Sequence, residues 1–292
     1  MFNYFQILKT SYYIKMKVNV LTYNMSWATQ KNKALGSEKD FVEACQESYE
    51  RGGKQCTDNA VKKIGKLRKL HLMGIQEVNS AIEKKIKMVQ PNLKVHERAK
   101  IGQSIVSLMW DPKVFGKKKE KCSFNLVDND DSRPCLIVLT KKDSDVFLLM
   151  NLHSPWETQT LPKMLSKRIL KCEKKEIIDA FKNKDTKIIV TGDFNDDKAL
   201  ISKKKPLTIR LRKRRVSLTH NKTKKQLKKD LISCCWHEEG HRWAHFDAPG
   251  DYILTNDKVK QLSMSIPKIF NAKTRNKLLY SDHKPVLSVI SF

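Results

Sequence analysis

Carboxylates, carboxamides and imidazoles recur in this sequence where apolar runs begin or stop. Tyr23-Asn24 closes one run and Gln76-Glu77 closes the next. Asn151-Leu152-His153 and Gly192-Asp193-Phe194-Asn195 end two later ones. Gly250-Asp251 opens another, and Ser281-Asp282-His283 precedes the last. Singly, each is an ordinary turn former or helix cap. Together they suit phosphodiester cleavage, which needs an in-line water, charge neutralisation on the phosphate and a proton for the leaving oxygen. Ser132-Arg133-Pro134 adds a guanidinium, whose planar fork of donors suits a phosphate. Cys234, Cys235, His237, His241 and His245 also lie close together. Their spacing matches no standard zinc finger and adjacent cysteines chelate one ion poorly, so that stretch reads as a loop leading into the Asp251 strand.

The elements that must position these groups are mostly strands. Apolar runs occur at 18–23, 72–76, 104–110, 135–139, 146–150, 187–191, 252–255 and 286–290. Several are continuous, as in strands buried on both faces. Helices are expected from Ser37, with Asp40 completing a weak capping box, and from Thr57 or Asp58 to about Leu70. A long amphipathic helix is expected from Leu161 to Lys182, where Leu161, Met164, Leu165, Ile169, Ile177, Ile178 and Phe181 recur roughly at helical spacing. Strands mixed with such helices suggest two packed sheets flanked by helices. Residues 1–15 read as a disordered leader without a signal peptide, and 16–292 as a single catalytic domain.

Lys and Arg outnumber Asp and Glu by 58 to 31, a formal charge of +27 over 292 residues. Self-repulsion at that excess favours a polyanionic partner, nucleic acid first and an anionic membrane surface second. Between Lys203 and Lys229 there are thirteen Lys or Arg and no acid. Residues 207–211 and 216–218 alternate there like short edge strands. The stretch reads as a basic insertion or edge that contacts nucleic acid, serves as a nuclear-import signal or both, with a plain charged edge as the alternative. Seven cysteines without an obvious framework fit a reducing, intracellular setting, cytoplasmic or nuclear. No apolar run approaches a membrane span.

The six segments, in this order from Val18 to Phe292, resemble the endonuclease/exonuclease/phosphatase (DNase I-like) superfamily. The resemblance implies a four-layer α/β sandwich, two packed and mostly antiparallel β-sheets flanked by helices, with the site at one end of the sheets. It implies Mg²⁺, with Mn²⁺ as a possible substitute, held by Glu77 with Asn24 and Asp282. Asp193 would orient or deprotonate the attacking water, and Asn195 would hold a phosphate oxygen, with Asn24 nearby. His283, oriented by Asp251, would polarise the phosphate or assist proton transfer. His153 would be a second acid or phosphate contact, and Arg133 would bind the scissile phosphate, as in the secreted DNase I group.

The expected activity is that of a monomeric nuclease, an endonuclease acting on DNA ahead of RNA. Ser26, where abasic-site endonucleases usually carry Asp, and His153, where they use Tyr, argue against abasic-site repair. A phosphoinositide or phospholipid head-group phosphatase is the alternative, because Ser281-Asp282-His283-Lys284-Pro285-Val286 looks like the final motif of the inositol polyphosphate phosphatases. Those enzymes usually place Arg where this chain has Tyr252 and near Asp196-Asp197. An inactive nucleic-acid-binding module is the third reading. DNase I-like enzymes also pair the histidine near His153 with an acid on an earlier strand, and the matching stretch here, Gly102-Gln103-Ser104, has none.

Overall fold

The computed structural model describes residues 16–26, 54–128, 131–155, 159–196, 198–234, 249–270, 280–281 and 283–292. In chain order the strands are β1 (Val18–Asn24), β2 (Leu72–Gln76), β3 (Val95–Ile101), β4 (Ser104–Trp110), β5 (Lys117–Asn125), β6 (Pro134–Lys142) and β7 (Asp145–His153). Then come β8 (Lys187–Asp193), β9 (Leu207–Leu211), β10 (Arg214–Leu218), β11 (Asp251–Thr255), β12 (Lys260–Ser265) and β13 (Val286–Ser291). The helices are α1 (Lys54–Gly65), α2 (Ser80–Val89), α3 (Pro112–Phe115), α4 (Leu161–Lys171), α5 (Lys175–Lys182) and α6 (Lys224–Asp230).

Two sheets pack face to face. One has six strands in the order β12-β13-β1-β2-β4-β3, the other five in the order β11-β8-β7-β6-β5. Each holds one parallel pair, β1–β2 and β7–β8, in otherwise antiparallel neighbours. Strands β2, β4 and β6 are buried almost end to end, as their continuous apolar runs require. On the outer faces, α2 meets β3 through buried Glu83, 3.1 Å from His96, and α5 packs on β7. The expected four-layer α/β sandwich is the architecture found.

The sheets meet through a buried polar knot. Asn151 Nδ2 donates to the Ile75 and Ser107 carbonyls, both at 2.8 Å. Its Oδ1 accepts from Gln76 Nε2 at 2.5 Å and from Thr191 Oγ1 at 3.2 Å. Gly74 lets the backbones come this close: a Cβ there would lie 1.9 Å from Thr191 Oγ1.

Several sequence expectations change. The helix expected over 161–182 is two, α4 and α5, broken at Glu173, whose φ is 56°. Thr57 lies inside α1, and the chain leaves the helix after Gly65, not near Leu70. Strands β3, β5 and β12, which the sequence does not announce, are edge strands with charged or polar faces and no apolar alternation. The Ser37 helix, the 1–15 leader and most of the Cys/His stretch lie outside the described residues.

The cysteines form a framework their spacing does not reveal. Cys122 on β5 is bonded to Cys172 at the end of α4, Cys56 and Cys234 are also disulfide-bonded, and Cys135 is free and buried. Disulfides persist in oxidising surroundings, so the cysteine pattern no longer argues for a reducing compartment. No helix among the described residues is long and apolar enough to cross a membrane.

The basic segment forms the separate β9–β10 hairpin, packed on α4. Thr219, just after it, bridges to Thr255 at the end of β11, and Arg214 and Arg215 lie beside Ile188, Asn256 and Asp257. Ile188 is five residues before Asp193 on β8, so these arginines are roughly 17 Å along the strand from that carboxylate. The hairpin is near the Gly192–Asn195 motif in sequence and away from it in space.

Two outcomes follow. Gly74→Ala should destabilise the fold by at least about 1–3 kcal/mol, the cost of overpacking a tight interior. An unchanged urea midpoint would mean the sheets separate at little cost. Buried His220 stacks on Tyr252 at 5.2 Å, and burial lowers its pKa from 6.5 to about 4. The native ring stays neutral while the unfolded one takes up a proton below 6.5. Its stability contribution is therefore present above pH 6.5 and lost as pH falls toward 4, at up to about 1.4 kcal/mol per pH unit. His220→Gln should flatten the loss of stability between pH 6.5 and 5, and parallel urea titrations of the two proteins check this.

Candidate active site

Both parallel pairs point their carboxyl ends the same way, so β1, β2, β7 and β8 deliver Asn24, Glu77, His153 and Asp193 to one end of the sandwich. Strands β11 and β13 run antiparallel to their neighbours, so they contribute from their starts: Asp251 opens β11 and His283 precedes β13.

Asn24 is the hub. Its Nδ2 donates to Glu77 Oε1 at 3.1 Å and to Asp193 Oδ2 at 3.0 Å, and its Oδ1 accepts from the Ser26 amide at 3.0 Å. One carboxamide thus links a carboxylate of each sheet. Ser281 Oγ donates to the Asn24 carbonyl at 2.9 Å, drawing in the segment before β13.

Asp193 is 1% exposed, against 20% for the Glu77 side chain. Its Oδ1 accepts the Asn195 amide at 2.9 Å, while Asn195 Nδ2 donates to the Ser154 carbonyl at 2.6 Å. Asn195 therefore braces the turn after β8. Ser26, Glu77 and Asn195 take left-handed φ values of 51°, 52° and 47°. Such conformations cost roughly 1–3 kcal/mol each and gather at functional sites.

Two imidazoles flank Asp193: Nε2 of His153 and Nε2 of His283 each lie 3.7 Å from its Oδ2. Asp251 Oδ2 holds His283 Nδ1 at 2.9 Å, and the Asp251 and Gly250 amides both donate to Ser233 Oγ. Asp193, Asp251 and His283 bring ligand atoms within 4.8 Å of one another. Arg133 Nη1 donates to His153 Nε2 at 2.9 Å, and Arg133 Nε is held by Asp131 at 2.9 Å.

Burial lowers the His153 pKa to about 4, with Asp193 opposing and Arg133 reinforcing the shift. The ring is neutral at pH 7. Because Nε2 accepts from Arg133, its proton sits on Nδ1, which is buried without a hydrogen-bond partner among the described residues. Among the described residues no carboxylate backs this histidine, as the Gly102-Gln103-Ser104 stretch implied. Gly102 instead lies against Ser132, next to Arg133.

The structure thus gathers Asn24, Glu77, Arg133, His153, Asp193, Asn195, Asp251 and His283, while Asp282 lies outside the described residues. Sequence reasoning missed Asp131, Ser154 and Ser233. Asp131 was detectable as an acid two residues from Arg133. The other two act through a carbonyl and a hydroxyl that leave no pattern in sequence.

No protein-family model matches the sequence, and no curated protein matches it. Solved structures do match its fold. An endonuclease/exonuclease/phosphatase from Bacteroides vulgatus is 16% identical, with 95% of this chain and 100% of that one covered at a TM-score of 0.56. D. rerio TDP2, complexed with a single-strand DNA product, is 13% identical over 94% and 99% of the two chains, TM-score 0.56. ANGEL2, a 2',3'-cyclic phosphatase in complex with adenosine-2',3'-vanadate, is 13% identical over 94% and 96%, TM-score 0.61. The chain has the endonuclease/exonuclease/phosphatase fold.

The His153 geometry has a spectroscopic signature. At pH 7 its ¹⁵N shifts should show a neutral ring protonated at Nδ1. Arg133→Ala should raise its pKa, because both the repulsion and the hydrogen bond to the neutral form are lost. A wild-type ring that titrates near 6.5 would overturn the described burial.

Proposed function

We propose that this chain is a Mg²⁺-dependent phosphodiesterase that hydrolyses nucleic acid, DNA ahead of RNA. The observation that carries the reading is the convergence on Asp193: Asn24 bonds its Oδ2, and two imidazole Nε2 atoms lie 3.7 Å from it. Asp193, fixed by Asn24 and the Asn195 amide, orients and deprotonates the attacking water. His283, held at Nδ1 by Asp251, turns Nε2 to the phosphate for polarisation or proton transfer. Arg133 grips phosphate oxygens with its fork, its Nε already set by Asp131. Neutral His153 lacks the second proton an acid would give, and through Nε2 it positions the Arg133 guanidinium at the phosphate.

The donor set fits the metal. Glu77 is the most accessible carboxylate of the cluster and stands beside the Asn24 carboxamide, whose oxygen and nitrogen exchange by a flip about χ2. Glu77, Asn24 and Asp282 would hold Mg²⁺, or Mn²⁺ in its place, which when bound neutralises phosphate charge and acidifies water.

Three observations favour nucleic acid over a phosphoinositide. The formal charge is +27. The neighbours in fold include one bound to a single-strand DNA product and one bound to an adenosine derivative. Where the phosphoinositide reading asks for arginines, the Tyr252 hydroxyl donates toward the Pro249 carbonyl and Asp196 Oδ2 at 3.0 and 3.2 Å. Asp196 in turn accepts the Leu200 and Ile201 amides.

The test is incubation with supercoiled plasmid, single-stranded DNA, RNA and phosphoinositides, each with Mg²⁺ or EDTA. Cleavage of DNA with Mg²⁺ alone is expected. Asp193→Asn and His283→Ala should each lower kcat by about 10²-fold or more, with KM changing far less. Glu77→Gln should lose both turnover and Mg²⁺ affinity in a calorimetric titration. Phosphate release from phosphoinositides with DNA left intact would sink the reading.

A further inference from the structure

The end of the sandwich opposite Asp193 carries the basic groups that the site does not use. Strand β6 starts beside Arg133 and ends at Lys142, eight steps or roughly 27 Å away. There the turn from α3 into β5 packs on the end of β6. A Cβ at Gly116 would meet the Lys141 carbonyl at 1.9 Å, and Trp110 Nε1 donates to the Gly116 carbonyl at 3.0 Å. This rigid floor carries a groove of about 570 Å³ lined by Lys113, Lys117, Lys119, Lys141 and Lys142. Asp143, its only lining acid, pairs with Lys142 at 2.7 Å. The other four lysines are exposed and have no ion-pair partner among the described residues.

A second recess of about 300 Å³ opens at the same end, over the start of β8 and the end of β11, and holds Arg214 and Arg215. Arg214 Nε is buried there without a hydrogen-bond partner. The sheet order β11-β8-β7-β6-β5 sets the two recesses apart by up to four strand spacings, roughly 19 Å. That is the length of five or six base pairs of duplex, at about 3.4 Å per pair.

We propose that this pole is a second, non-catalytic site for the phosphate backbone of nucleic acid. A single small anion would satisfy one recess and leave the other charged. A membrane-inserting contact would need large apolar side chains beside the basic clusters. The exposed large apolar side chains, Met16, Met88, Leu170 and Leu262, line neither recess. A duplex lying in the catalytic cleft does not reach this pole without bending around the protein. The chain therefore holds two segments at once, one for chemistry and one for retention. The count of two segments rests on the nuclease reading, whereas duplex binding at this pole and its salt dependence do not.

The test uses the full chain and a 16-mer phosphorothioate duplex, which keeps its charges and resists cleavage. Wild type should bind two duplexes per chain, with a steep fall in affinity with salt. Changing Lys113, Lys117, Lys119 and Lys141 together to Gln should leave one duplex bound. It should also flatten the slope of log K against log salt by up to about 0.9 per lost phosphate contact. Arg214→Gln with Arg215→Gln should weaken the same event, and the fourfold Lys→Arg variant should restore it. Turnover on a short saturating substrate should not change, so loss of the pole and loss of the nuclease activity are read separately. Unchanged stoichiometry and slope would overturn the proposal. So would loss of binding to phosphatidylserine vesicles with DNA binding intact, which would make the pole a membrane contact.

Discussion

The close approach of the two sheets at Gly74 governs this structure. With no side chain there, Thr191 and Asn151 of the opposite sheet sit against the β2 backbone, and Gln76 closes the knot between them. Buried amides of this kind cost about 1–3 kcal/mol each if left unpaired. The knot therefore resists both sliding and rotation of the sheets, where apolar contact alone would tolerate small slips. Each knot residue lies within two positions of a site residue: Gln76 precedes Glu77, Asn151 lies two before His153, and Thr191 two before Asp193. Register in the core is thereby passed to the strand ends.

The site uses that register economically. Asn24 spans the gap between the sheets and binds a carboxylate on each, so one carboxamide fixes the separation of the two acids. The two histidines then differ by environment. Asp251 stands behind His283, while His153 faces Arg133 and has no acid behind it among the described residues. One ring is oriented by a carboxylate at Nδ1 and the other is held neutral by burial. That division follows from which strand end each occupies.

Much of this was legible in the sequence because buried strands and their polar ends leave strong marks. Continuous apolar runs located β1, β2, β4, β6, β7, β8, β11 and β13, and polar residues at the ends of several of them are brought together in the structure. The edge strands β3, β5 and β12 escaped because a strand with one solvated edge and charged faces has no apolar period to read. The break at Glu173 escaped because helical spacing resumes after it almost in phase. The hairpin at 207–218 was visible as an element, but its position was not. Nearness to Asp193 in sequence says nothing about which end of a seven-residue strand it will flank. The Cys122–Cys172 bond was hidden in the same way, by pairing an unrecognised edge strand with an unrecognised helix end.

That bond spans fifty residues and encloses all of β6, β7 and α4, with Arg133 and His153 inside the loop. Closing a loop of that size removes about 4 kcal/mol of chain entropy from the unfolded state in the simple cross-link model. It also changes what a break in the backbone means. A protease that cuts the surface turn between β5 and β6, or the connection from β7 to α4, would leave one covalent molecule with both flanking pieces attached. The half of the site that β6 and β7 supply is thus tethered twice, by the peptide chain and by sulfur.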